Sequence, residues 1–319
     1  MLFAITEEGV HSVSEPQPSA PTSNAKTILF MVLLSFVCAL ILSVLASVLA
    51  KPKEIAKDLD RSKEMMIAAK ILDYHGYFLL SSHGKYIPAK YTKDGILVPG
   101  SPNDIPTRDQ LIDVYKKRLI PFLVTDQGDV TTFEKAKINP DDYLSDYRKT
   151  GYYKQPFKLI YKILANPQEG KPADESQIEG YVIPVNGFGL WDAIYGYLAI
   201  KPDGDTIIGI SWYDQKETPG LGANIAEEPW QSLFPNKLIF QESPDGQTNF
   251  KTAPLGITVV KGKVAEVLGN SPKAKSAVDG MAGATLTGNG VTDAYKDVLG
   301  PYRPFLIKLH QEHEKNKKP

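Results

Sequence analysis

IYGYLAIKPDGDTIIGISWY, residues 194–213, sets two runs of β-branched and aromatic residues on either side of Pro202-Asp203-Gly204-Asp205. Such side chains suit a pleated surface, and the cluster between them supplies turn chemistry, so the stretch reads as two strands joined tightly. YVIPV (181–185) before it, and NKLIF (236–240) and GITVV (256–260) after it, have the same character. Together they predict a largely antiparallel sheet in the C-terminal half.

Helices complete an α+β domain. Val291, Ala294, Tyr295, Val298 and Leu299 repeat at helical spacing, and Gly300-Pro301 is expected to stop that helix before a second, basic one starts near Pro304. Upstream, Ile28–Ala50 carries no charge, glycine or proline over 23 residues. At about 1.5 Å per residue it is long enough to cross a hydrocarbon core of roughly 30 Å. A cleaved signal peptide would have a shorter apolar region and a basic leader, whereas Glu7, Glu8 and Glu15 precede this one. The expected layout is a disordered polar tail (1–26), a single transmembrane helix (27–50), a membrane-proximal α/β region (51–175) and a ligand-binding domain (176–319). The last boundary is placed in the polar stretch NPQEGKPADESQ, residues 166–177.

Composition excludes several functions. A net charge of −1 gives no basic excess for nucleic acid. Cys38, the only cysteine, lies inside the apolar run, so no thiolate is available for a cluster or a nucleophile in the rest of the chain. His310 and His313 have a metal-compatible spacing but no carboxylate-rich or cysteine partner, and lysines crowd them. No sodium-binding residues can be read.

Three loops rich in small residues remain: NGFGLW (186–191), ETPGLGA (217–223) and DGMAGATLTGNG (279–290). The dinucleotide fingerprint fails, because neither Gly187/Gly189 nor Gly220/Gly222 is followed by a third glycine at the right place. Glycines beside Trp191 or Leu221 suit a planar ligand held between large side chains, or core residues beside tight turns. The third loop puts hydroxyls just before a helix. Free amides there favour a phosphate, and a plain cap by Thr287, Asn289 or Thr292 accounts for part of the pattern.

Asp279-Gly280-Met281-Ala282-Gly283-Ala284-Thr285 resembles the flavinylation sequence Asp-Gly-x-(Ser/Thr)-Gly-Ala-Thr of the FMN-binding domain family. GLW and ETPGLG are similar to two further signatures of the C subunits of sodium-translocating NADH:quinone reductases, which also carry one N-terminal span. The similarity covers roughly Tyr181–Leu309 and the anchor, and Ala282 departs from the usual hydroxyl residue. The resemblance implies covalent FMN on Thr285 as a phosphoester, installed by a flavin transferase that consumes FAD. It further implies Trp191 and Leu221 against the ring, Leu190, Glu217 and Thr218 beside the ring or ribityl chain, and Asp279, Gly283, Ala284 and Thr287 around the attachment point. The expected role is electron relay among the other subunits of the complex, in a bacterial inner membrane with the large domain outside. Lys51, Lys53, Lys57, Arg61 and Lys63 argue the opposite orientation on charge alone. Two alternatives stay open here: the flavin subunit of an ion-pumping ferredoxin:NAD oxidoreductase, and a membrane-tethered binding domain in which the motif only caps a helix.

Overall fold

The computed structural model describes residues 24–82, 84–167 and 177–317. The tail expected over residues 1–26 lies almost wholly outside them. The chain divides into two compact units, residues 1–56 and 57–319.

In the first unit the described residues belong to helix α1, which runs Asn24–Ala68. Its apolar stretch is exposed throughout, and by length and composition it can cross a membrane. Pro52 sits within the helix, where it lacks an N–H to give to the carbonyl four residues back.

The second unit is built on one six-stranded sheet in the order β5-β4-β6-β7-β8-β9, with antiparallel pairs throughout. Its strands are β4 Leu119–Val124, β5 Val130–Thr131, β6 Lys158–Leu164, β7 Ile178–Phe188, β8 Ala193–Ile200 and β9 Ile207–Asp214. Ahead of it in the chain come a small antiparallel sheet, β1 Phe78–Ser82, β2 Lys85–Tyr91 and β3 Leu97–Pro99, and helix α2, Arg108–Arg118. Short helices α3 Phe133–Ala136 and α4 Pro140–Asp146 lie between β5 and β6. After β9 come α5 Glu228–Gln231, α6 Val264–Val267, a parallel pair of two-residue strands, β10 Thr258–Val259 and β11 Ala277–Val278, and the long helix α7, Thr285–Lys317.

Alternation along the strands gives the sheet two buried faces. Ile160, Ile183, Val185, Leu198 and Ile210 meet the apolar side of α7. Leu159, Tyr161, Val182, Tyr197 and Ala199 face the other way, onto the end of α1, α2, α4 and the small sheet. This overturns the boundary expected at 175/176. Strand β6 pairs with β7 in register Tyr161↔Val182 and Ile163↔Gly180, so the connection 166–177 joins neighbours in one sheet rather than two domains.

Two other expectations are corrected. Helix α7 passes through Pro301 and Pro304 without ending. Its apolar face continues past them as Tyr302, Phe305, Leu306 and Leu309, all buried, and the Tyr302 hydroxyl donates to the Leu159 carbonyl at 2.7 Å, so tertiary packing overrides two unfavourable residues. NKLIF forms no strand; it makes only isolated bridges, Thr206↔Leu238 and Phe240↔Leu255.

Candidate functional site

Strand register brings the three small-residue loops together. The β7–β8 hairpin turns through Gly189–Asp192, closed by the Gly189 N–H donating to the Asp192 carbonyl at 2.9 Å. After β9 the chain turns through Thr218–Leu221, where the Leu221 N–H donates to the Thr218 carbonyl. After β11 the third loop leads into α7.

Glu217 joins all three. Its carboxylate accepts the Leu190 N–H at 3.1 Å, the Trp191 N–H at 3.0 Å and the Thr287 hydroxyl at 2.5 Å. The Trp191 indole N–H donates to the Thr218 hydroxyl at 3.1 Å. Glu217 and Thr287 are buried. Burial alone would raise the Glu217 pKa, but the Thr287 hydroxyl and the amides of Trp191, Leu190 and Asp192 outweigh it, and the net shift is downward. A buried carboxylate with this many donors is a fixed anion that holds two loops and a helix turn in place.

The glycines of the third loop mostly serve the protein's own packing. A Cβ on Gly290 would stand 2.0 Å from the Phe188 carbonyl oxygen, so the start of α7 lies directly on the end of β7. Gly283 differs: its φ of 73° is a left-handed conformation that glycine reaches cheaply, and a Cβ there would meet Leu221 Cδ2 at 2.9 Å.

None of the expected caps is made. The Thr287 hydroxyl goes to Glu217, while that of Thr292 accepts the Val259 N–H and donates to the Gly288 carbonyl. Thr285, expected a few residues ahead of the helix, is its first residue and is exposed. The first helical amide with a carbonyl partner is that of Gly288, on Ala284; the amides of Thr285, Leu286 and Thr287 have no acceptor among the described residues. Beside them lies a cavity of about 440 Å³ lined by Lys261, Lys263, Glu266, Met281, Thr285 and Asn289 among others.

Asp279 takes no part in the Glu217 network. One carboxylate oxygen accepts the Val264 N–H at 2.8 Å and the other pairs with Lys263 at 3.0 Å, while its carbonyl accepts the Trp230 indole N–H. Burial would raise its pKa; the Val264 amide, Lys263 and the more distant Lys237 reverse the shift. Asp279 therefore braces the loop that carries Lys261 and Lys263. Ala284 is buried at the helix start.

Large apolar side chains stand in solvent around the network: Trp191 is 68% exposed, Leu190 47% and Leu221 41%. Phe188 and Leu286 are exposed as well, and sequence reasoning does not single them out. Leu286 is readable as an apolar residue outside the Thr287–Val291–Ala294 face; Phe188 gives no such signal. Clustered exposed apolar side chains mark a surface that something else covers.

The FMN-binding domain family model matches residues 189–300. The C subunit of the Na(+)-translocating NADH-quinone reductase of Chlamydia caviae is 40% identical, over 91% of this chain and 95% of its own. The protein of the same name from Chlamydia muridarum is 41% identical, over 88% and 90%. A crystal structure of NqrC from Shewanella oneidensis aligns at 26% identity and a TM-score of 0.44, covering 65% of this chain and 90% of that one.

Proposed function

The chain belongs to the family of C subunits of Na(+)-translocating NADH-quinone reductases, and on that premise we propose that it carries FMN on Thr285 as a phosphoester and relays electrons between other subunits of such a complex. FMN, when bound, supplies reversible one-electron chemistry. The protein supplies position and electrostatics.

One observation carries the reading: an exposed hydroxyl at the first position of α7, beside three amides without acceptors among the described residues and a cavity bordered by Lys261 and Lys263. Amides and lysines suit a phosphate diester, which keeps one negative charge. Attachment forms a bond from Thr285 Oγ to phosphorus, breaks the pyrophosphate link of FAD and releases AMP, with the hydroxyl proton passing to the transferase. Ala282 removes a side-chain hydroxyl from the usual pattern but not the acceptor.

Glu217 holds the Leu190–Trp191 turn, and through Thr287 the first turn of α7, in fixed relation. Trp191 and Leu221 then offer an apolar slot for a flat ring, and the Trp191–Thr218 bond sets the indole's angle. The large unit is placed on the outer side of the inner membrane, as the family resemblance implies; protease digestion of intact spheroplasts tests that placement.

The decisive experiment is co-expression with a flavin transferase and mass spectrometry of the peptide Asp279–Lys296. The peptide is expected to carry the mass of an FMN ester, and the denatured protein band to fluoresce. Thr285→Ala is expected to abolish both and leave the fold intact, since the residue is exposed. A native peptide of unmodified mass would overturn the proposal.

A further inference from the structure

A second cavity, of about 450 Å³, shares no lining residue with the Thr285 cavity or the Glu217 network. It is lined by residues of strands β1 and β2 with Gly84, the end of α2, strands β6 and β7, the turn between β8 and β9, and Pro235–Asn236. Among the described residues, three cationic ones, Lys70, Arg118 and Lys201, line it with a single carboxylate, Glu179.

Arg118 and Glu179 account for each other. The guanidinium is almost fully buried, donates through Nε to the Leu164 carbonyl and through Nη2 to Glu179 at 2.6 Å. Two of its five N–H groups are thereby used. Neither lysine has a carboxylate within ion-pair distance among the described residues: Lys201 donates to the Asn236 side-chain oxygen at 3.0 Å, and Lys70 lies over the Tyr74 ring at 4.9 Å. Among the described residues the lining itself therefore carries two positive charges in excess, with Asp73 and Glu228 acting on Lys70 from outside it.

Lys70 also occupies an unusual backbone position. It follows the end of α1 with a φ of 55°, the left-handed conformation that glycine or asparagine normally supplies just past a helix. Its amide donates to the Ile67 carbonyl at 3.0 Å, a bond that glycine would make equally well. Backbone geometry thus gains nothing from a lysine here. Burial lowers its pKa, against the pull of Asp73 and Glu228.

We propose that this cavity binds a small phosphomonoester. A phosphomonoester carries between one and two negative charges near neutrality and three strong acceptor oxygens, which match the charge excess and the ammonium and guanidinium donors. Leu79, Ile163, Pro202, Ile207 and Pro235 give an apolar wall for a carbon skeleton, and the volume lies within the range of small-molecule sites. A soluble nucleotide and a lipid phosphate share this chemistry.

The test titrates AMP, with adenosine as control, into the full chain in phosphatidylcholine nanodiscs, followed by calorimetry. One AMP per chain is expected, and no binding of adenosine. Lys70→Gly and Lys201→Gln are each expected to weaken AMP about tenfold, the effect of losing one charge-assisted bond. Because glycine suits the backbone at position 70, that variant should melt no lower than the parent, which separates lost binding from lost folding. Adding phosphatidic acid to the nanodiscs distinguishes the sources: competition with AMP assigns the lipid, and unchanged AMP affinity assigns a soluble ligand. Absence of saturable AMP binding, equal affinity in both variants, or binding of adenosine as tight as that of AMP would overturn the proposal.

Discussion

The Thr287 hydroxyl donates to the carboxylate of Glu217, seventy residues earlier in the chain, and the bond is buried. It fastens the first turn of α7 to the loop after β9, so the backbone that carries Thr285 is held by a residue two positions away.

Thr287→Val leaves Glu217 one donor short and is expected to destabilise the protein by about 1–3 kcal/mol. Glu217→Gln has a sharper signature. Both carboxylate oxygens accept backbone amides, Leu190 on one and Trp191 on the other, while an amide side chain has only one oxygen. One N–H must then face an NH₂ group. Hydrogen exchange at Leu190 and Trp191 is expected to rise in Glu217→Gln, and unchanged protection at both would refute this reading of the network.

Trp191 tests the proposed flavin slot apart from stability. The side chain is exposed, so Trp191→Phe is expected to shift the unfolding free energy by no more than about 0.5 kcal/mol. It loses the bond to Thr218, and the flavin absorption of the loaded protein should change in position or fine structure relative to the parent. An identical flavin spectrum would remove Trp191 from the ring's surroundings.

Two glycine substitutions are expected to rank clearly. Gly290→Ala drives a Cβ into a backbone carbonyl that cannot swing aside, costing about 3 kcal/mol or preventing folding. Gly283→Ala is penalised for its left-handed backbone, by about 1–2 kcal/mol, while the Leu221 side chain can move. Denaturation midpoints test the order; the reverse order would mean that α7 does not sit on the end of β7 as described.

Asp205 gives a pH signature. Burial raises its pKa to about 6, with Asp203 adding to the rise and the amides of Phe240 and Ile239 opposing it. A carboxyl whose folded pKa lies above its ordinary 3.8 binds protons more tightly when folded, so its contribution to stability is greatest in acid and is lost as pH climbs through about 6. Glu217 and Asp279 act in the opposite sense, their contributions vanishing as pH falls below the ordinary carboxylate range. The difference between parent and Asp205→Asn isolates the first effect. The variant should melt higher than the parent at pH 7, and the gap should close between about pH 6 and pH 4. A gap independent of pH would contradict the shift.

The sheet's C-terminal strands are legible in the sequence because their chemistry is local. In the turn between β8 and β9, Asp203 accepts the amides of Asp205 and Thr206, and Gly204 supplies a positive φ, as Pro-Asp-Gly-Asp suggests. Strands β4 and β6 are harder. LIYKIL is buried on both sides, which erases alternation, and Lys158 and Arg118 read as surface residues although both are buried. The unbroken α7 is hidden for a related reason: propensity marks Pro301 and Pro304, whereas burial of Tyr302 and Phe305 decides. At the site, each loop announces itself by composition. Their meeting on Glu217 depends on the register of β7, β8 and β9, and short-range patterns do not specify contacts seventy residues apart.

The pairing of β6 with β7 limits how this protein can be cut for study. An expression fragment beginning at Gln177 would keep every residue of the FMN-binding match yet expose β7 as a bare edge, its ladder of N–H and C=O groups ready to recruit another chain. Such a fragment would precipitate or pair with itself, and a failure to take up flavin would then report on a severed sheet and not on the chemistry of position 285.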